Sequence, residues 1–229
     1  MDHSPAELWD PAPSAIFMAD EFPGCLRHVI LPDAPKATAV RLRMRGEIRL
    51  KRWRTFEAEE VIDHARGFVW KARMAGFISG FDALVDRTAS ARWNWLGLVP
   101  VMRASGPDVT RSAIGRWLAE SCWLPTMWRP DDGASWEDST VTLTRFGETG
   151  RLHLGFDERG GLQEFRMMRW GNPGGGPFRY QPFGGVVEEQ RRFGGFIIPS
   201  RVRVGWGYGT SAWEGGEFFR ASIQDAAFR

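Results

Sequence analysis

The strongest constraint on this chain is a period of two. Between residues 40 and 50, Val40, Leu42, Met44, Ile48 and Leu50 fall on one side, and Arg41, Arg43, Arg45, Glu47 and Arg49 on the other. In an extended chain successive side chains point to opposite faces, so this alternation describes a strand with one dry face and one wet face. Comparable runs occupy residues 56–62, 68–74, 77–85 and 91–99, and resume at 141–143, 152–156, 162–170, 186–193, 196–206 and 218–228. The connections are too short to hold crossover helices, and several carry Gly-rich turns such as Gly160-Gly161 and Gly194-Gly195. Antiparallel hairpins follow.

The period changes once. Across residues 108–123, Ile114, Trp117, Leu118, Ser121 and Cys122 share one helical stripe, while Arg111, Arg116 and Glu120 lie away from it. Gly106-Pro107 stops the preceding strand, Asp108 or Thr110 is the expected N-cap, and Pro125 closes the far end. A flat sheet of so many strands is unstable against curling. The expected fold is therefore mainly β: an antiparallel β-barrel or half-barrel of about ten strands with one amphipathic helix across its opening. Residues 36–229 form this single domain, and the Pro-broken segment 1–35 packs on it, with a short helix expected over 22–31.

Composition excludes several classes. A net charge of +2 from 30 basic and 28 acidic side chains is not that of a polyelectrolyte. Cys25 and Cys122 are too far apart in sequence to indicate a zinc site or a disulfide framework. The start of the chain lacks a leader's basic residues and apolar run, and no stretch reaches the roughly 20 apolar residues of a membrane span, so a cytoplasmic protein without a membrane span is expected. His3, His28, His64 and His153 are scattered, with no metalloprotease, hydrolase-elbow or nucleotide-loop motif, so no metal or cofactor is expected. The arginine face of residues 40–50, with Trp53 nearby, has the ingredients of a single-strand nucleic-acid binder. Glu57 and Glu59 on the next strand answer those arginines, and a solvated face without nucleic acid is the simpler reading.

Twelve tryptophans in one chain is a high number. Trp70, Trp93, Trp95, Trp117 and Trp206 fall on apolar faces, and so many rigid indoles, each with an N–H to satisfy, suit an aromatic-lined cavity as well as a solid core. Polar residues that share parity with apolar neighbours sharpen the clue: Glu60 with Phe56 and Ile62, Arg145 with Val141 and Leu143, and Asp225 with Ala221 and Ile223. Ser200, in phase with Ile198 and Val202, and Arg166, in phase with Met168, are weaker cases. A β-bulge that turns such residues outward, or a structural buried pair, is the alternative for each.

Three functions fit. The first is a carrier or sensor of a hydrophobic or aromatic small molecule. The second is a cofactor-independent isomerase, cyclase or lyase using Glu60 or Asp225 as acid or base and Arg145 as oxyanion stabiliser. The third is a surface-acting interaction protein.

Several segments carry a family resemblance: residues 40–47, 53–59, Gly97-Leu98-Val99-Pro100-Val101, Gly106-Pro107-Asp108, Trp117-Leu118-Ala119-Glu120 with Trp123-Leu124-Pro125, and 193–201 with Trp206. Together they resemble a bacterial family of unknown function. At the level of the fold, a curled antiparallel sheet with a helix at its mouth is similar to the periplasmic half-barrels that carry lipoproteins. The resemblance implies a fold and no activity.

Overall fold

The structure, a computed structural model, describes residues 2–9 and 26–229. Cys25 and the first residues of the helix expected over 22–31 lie outside them; within them that helix is one turn, α1 (Leu26–Val29). Six strands follow: β1 (Ala39–Arg49), β2 (Trp53–Asp63), β3 (Gly67–Met74), β4 (Ile78–Val85), β5 (Thr88–Trp95) and β6 (Val99–Ser105). The helix α2 (Pro107–Glu120) then leads through 3₁₀ turns to β7 (Ser135–Glu137), β8 (Thr140–Arg145), β9 (Glu148–Phe156) and β10 (Leu162–Gly171). The chain ends with β11 (Arg179–Phe193), β12 (Phe196–Trp206), the single turn α3 (Trp213–Gly216) and β13 (Glu217–Phe228).

All thirteen strands form one antiparallel sheet in the order β6-β5-β4-β3-β2-β1-β13-β12-β11-β10-β9-β8-β7. Two meanders thus run outward from a central seam, where β1 pairs with β13 from Val40 opposite Phe228 to Ile48 opposite Phe219. The sheet is a curled, open half-barrel, and α2 carries the chain from the β6 edge to the β7 side across its concave face, touching β3, β4 and β5 on one arm and β9 and β10 on the other. The strand count exceeds the expected ten for two reasons. The run 91–99 straddles a turn at Leu96 and Gly97, both with positive φ, and so supplies parts of β5 and β6. The three-residue β7 is too short to show a period.

Helix α2 starts as Gly106-Pro107 requires, with Pro107 at the first helical position, where its missing N–H costs nothing. Gly106 itself is the N-cap, and no side chain caps the helix, which corrects the expectation for Asp108 and Thr110. Those side chains are used across the groove instead: Asp108 Oδ1 accepts from Trp170 Nε1 at 2.9 Å, and Thr110 Oγ1 from the Ala89 amide at 3.2 Å. The helix ends at Glu120, and Ser121–Trp123 continue it as a 3₁₀ turn. Ile114, Trp117 and Leu118 are buried, each contributing about 1.5–3 kcal/mol of apolar burial. A Cβ on Gly115 would sit only 2.9 Å from Arg169 Cγ, so glycine there lets the helix settle onto β10.

Candidate functional site

Under the C-terminal half of α2 lies a cavity of about 180 Å³. Its walls gather the inward faces of both arms: Trp70 from β3, Phe165 from β10, Phe183 from β11, Phe218 and Phe219 from β13, and Trp123 from the turn after α2. Ile48, Val202 and Val204 fill the gaps between the rings. Phe218 and Phe219 are consecutive yet both reach the cavity, at the start of β13 where the pairing with β12 shifts register between Val204 and Gly205. Trp70 is tilted against Trp93 at 5.5 Å and meets Phe56 edge-on at 5.5 Å, so its ring is held in place. An apolar cavity of roughly 150 Å³ accepts benzene, so this space has the size of one aromatic ring with a short substituent.

One end of the cavity is charged. Arg116 on α2 engages three carboxylates at once: Nη2 to Glu60 at 3.0 Å, Nη1 to Asp82 at 3.1 Å and Nε to Glu120 at 2.5 Å. Its guanidinium also lies over Phe68 and Trp70, 4.5 and 5.2 Å from the ring centres. Asp82 accepts in addition from Trp93 Nε1 at 2.9 Å. Arg169 on β10 stands apart. It is buried, donates from Nε to the Ser112 carbonyl at 3.2 Å, and stacks over Phe183 and Trp206 at 4.5 and 5.0 Å. No carboxylate among the described residues forms an ion pair with it.

Burial dominates the ionisation of this cluster. It drives the Glu60 carboxyl well above the usual carboxylate range, Glu120 adds to that, and the Arg116 charge and hydrogen bond only partly oppose it. Glu120 is raised by the same burial. Oε2 of each of these two residues is buried without a hydrogen-bond partner. Burial also works against the charge on Arg116, but Glu120, Glu60 and Asp82 together hold it firmly protonated. Arg169 is pushed down to about 9, by burial first and by Arg116 second, and stays a cation at neutral pH. A carboxyl raised in the folded state favours folding while it is protonated, and that advantage is lost as pH rises from the ordinary carboxylate value through the folded one. As pH rises above the ordinary carboxylate range the two raised carboxyls are expected to cost stability, while His64, lowered by burial, opposes them as it releases its proton. Glu60→Gln is expected to remove its share of the carboxyl slope. Urea midpoints as a function of pH check it, and parallel profiles for the two proteins would refute the assignment.

The structure brings together only part of the expected site. Glu60 is buried and turned inward, 1% exposed, and Trp70 lines the cavity. Trp93 and Trp206 stand directly behind the wall, against Trp70 and Arg169 respectively. Trp117 is fully buried, but it packs on Phe146 and donates to the Asp63 carbonyl, away from the cavity. Ser200 is buried on the face of Ile198 and Val202, outside the cavity wall.

Four residues are corrected. Asp225 faces outward and pairs with Arg43 at 2.9 Å, because a bulge between Ile223 and Asp225 flips the parity of β13. Arg145 lies at the end of β8, donating to the Asp132 carbonyl at 3.2 Å beside His64 Nε2 at 2.7 Å, and is not part of the cavity wall. Arg166 does share a face with Met168, but that face is the exposed one. Trp95 is 47% exposed, since β5 runs past the cover of the helix at that point. The charged residues that sequence reading missed are Arg116, Glu120, Arg169 and Asp82. The first two were placed on the wet side of α2, whereas a helix sunk into a groove is covered on more than its apolar stripe. Arg169 has its signal in parity with the buried Phe165 and Met167.

Residues 25–218 match the family of unknown function DUF6544. The chain belongs to that family. DUF6544 therefore has, in this member, a curled thirteen-stranded sheet around one main helix. Three solved structures are similar at the level of the fold. An outer-membrane lipoprotein-sorting protein domain from Vibrio parahaemolyticus is 7% identical, with 83% of this chain and 85% of that one covered and a TM-score of 0.41. A LolA-superfamily protein from Nitrosomonas europaea is 9% identical over 90% of each chain, TM-score 0.45. A DUF1329-family protein from Desulfovibrio piger is 9% identical over 84% and 86%, TM-score 0.40. No curated protein matches this DUF6544 member. The expectation of a cytoplasmic location is withdrawn, since the first of these is named for the sorting of outer-membrane lipoproteins.

Proposed function

We propose that the protein binds a small apolar or aromatic molecule in the cavity under α2, with an anionic end of that molecule against Arg169. The observation that carries this reading is the contrast between the two buried arginines. Arg116 is saturated by Glu60, Asp82 and Glu120, while Arg169 has only a backbone carbonyl and two ring faces. Glu120 and Asp82 offset the burial of Arg169 only from a distance, so a carboxylate arriving with an apolar ring would give it a contact partner while filling the space between Trp70, Trp123 and Phe183. The rings of Trp70 and Trp123 make the binding visible as fluorescence quenching. Of the two carboxyls proposed for the enzymatic alternative only Glu60 is turned inward, and it is engaged with Arg116 behind a cavity wall to which Asp82 and Glu120 contribute instead.

The test is a comparison of aromatic carboxylates with their uncharged analogues. Benzoate-sized acids are expected to raise the melting temperature and quench tryptophan emission, by mass action on the folded state. Arg169→Gln is expected to weaken their binding by about 10- to 100-fold, the value of a charge-assisted hydrogen bond, and to leave the uncharged analogues unaffected. A panel in which neither class binds would overturn the cavity reading, and equal weakening of both classes would overturn the role of Arg169.

A further inference from the structure

In an antiparallel meander alternate turns lie at the same end of the sheet, so the β1–β2, β3–β4 and β5–β6 turns share one edge of this arm, the first standing about three residues proud of the second. That edge is apolar. Leu50, Phe77, Leu96 and Leu98 stand exposed at its three tips, Leu98 with 84% of its surface in solvent, and Trp95 and Val101 extend the patch along the last hairpin. The opposite turns of the same arm show no such side chains and instead carry the Arg66–Asp86 ion pair. A contiguous exposed patch of large apolar side chains marks an interaction site in a folded protein.

The charges of this edge have one sign. No Asp or Glu occurs in residues 49–54, 73–80 or 92–107, which contain Arg49, Lys51, Arg52, Arg54, Arg73, Arg92 and Arg103. Arg92 pairs with Asp2 and Arg49 donates to the Gly215 carbonyl. Lys51, Arg52, Arg54, Arg73 and Arg103 form no ion pair among the described residues.

We propose that this edge docks the protein on an anionic bilayer, with the apolar tips in the headgroup layer and the free cations on lipid phosphates and carboxylates. Interfacial binding of this kind combines buried apolar area with attraction to acidic lipid, and needs no spanning segment. A second copy of this chain is the poorer occupant, since it would bring the same unpaired cations against one another. Strand addition is disfavoured too, because Pro100 lacks a donor and the β5–β6 pairing shifts register between Trp93 and Asn94. The docked edge adjoins the cavity, since Ile48 of its wall is two residues from Leu50.

Co-sedimentation of the full chain with phosphatidylcholine vesicles, with and without phosphatidylserine, tests this. Binding is expected only where phosphatidylserine is present, and high salt is expected to remove it. Lys51→Glu and Arg52→Glu should each weaken it by about fivefold or more, the effect of one basic residue near an acidic leaflet. Leu98→Glu should weaken it by at least about tenfold through lost apolar insertion, with an unchanged melting temperature because the side chain is exposed. Met168→Glu, exposed elsewhere on the sheet, should have no effect. Absence of phosphatidylserine-dependent binding, undiminished binding of Leu98→Glu, or a dimer in solution that Leu98→Glu dissolves would each overturn the proposal.

Discussion

Trp117→Ala is expected to lower the stability of the protein by about 3–5 kcal/mol, the range for deleting a fully buried aromatic side chain. Trp117 is 0% exposed at the centre of α2, packs on Phe146 at the β8–β9 turn at 5.3 Å, and donates from Nε1 to the Asp63 carbonyl at 3.1 Å. One side chain therefore fastens the helix to the end of β2 and to the opposite arm of the sheet. Truncation opens a cavity between these elements and leaves a buried carbonyl without its donor. Trp117→Phe keeps most of the ring contact and loses the N–H, so it should cost about 1–3 kcal/mol. Urea unfolding of the two variants checks both figures. A loss under about 1 kcal/mol for the alanine variant would place Trp117 among residues whose removal the surroundings absorb, as exposed positions do.

A loss of similar size is expected for Arg116→Met, about 3–5 kcal/mol, because removing one partner of a buried ion cluster strands the others. Methionine preserves much of the packing against Phe68 and Trp70, so the effect reports charge more than volume. Glu60, Asp82 and Glu120 would then face one another without a cation. Glu60→Gln in the same chain should recover part of the loss, and the coupling between the two substitutions is the measurable quantity. Additive losses would mean that Arg116 and Glu60 do not depend on each other.

The fold was legible because its signals are local and repeated. Strand β12 falls at residues 196–206 as the alternation describes, and the stripe of Ile114, Trp117 and Leu118 marks the helix and its buried face. The half-barrel followed from the number of strands, which cannot lie flat. The charged end of the cavity was illegible for the opposite reason, since it depends on where elements distant in sequence come to rest. Arg116 looks wet in a helical projection and becomes enclosed only because α2 lies in a groove with walls on both sides. Asp225 looks dry by parity and becomes wet because of one inserted residue in β13, and no pattern of apolar residues announces a bulge. Glu60 was found because nothing interrupts the alternation of β2 between Phe56 and Ile62.

The seam between β1 and β13 sets an order for assembly. Each meander is made of neighbours in sequence, so β1–β6 can zip together while the remainder of the chain is still being synthesised, and β7–β12 after it. Neither can join the other until residues 217–228 have left the ribosome, because β13 is the strand that bonds to both β1 and β12. Until then the nascent chain carries two open sheet margins, and unpaired strand edges are exposed to mispairing. The same strand brings Phe218 and Phe219 to the cavity, so the cavity is walled only once β13 has joined the two meanders.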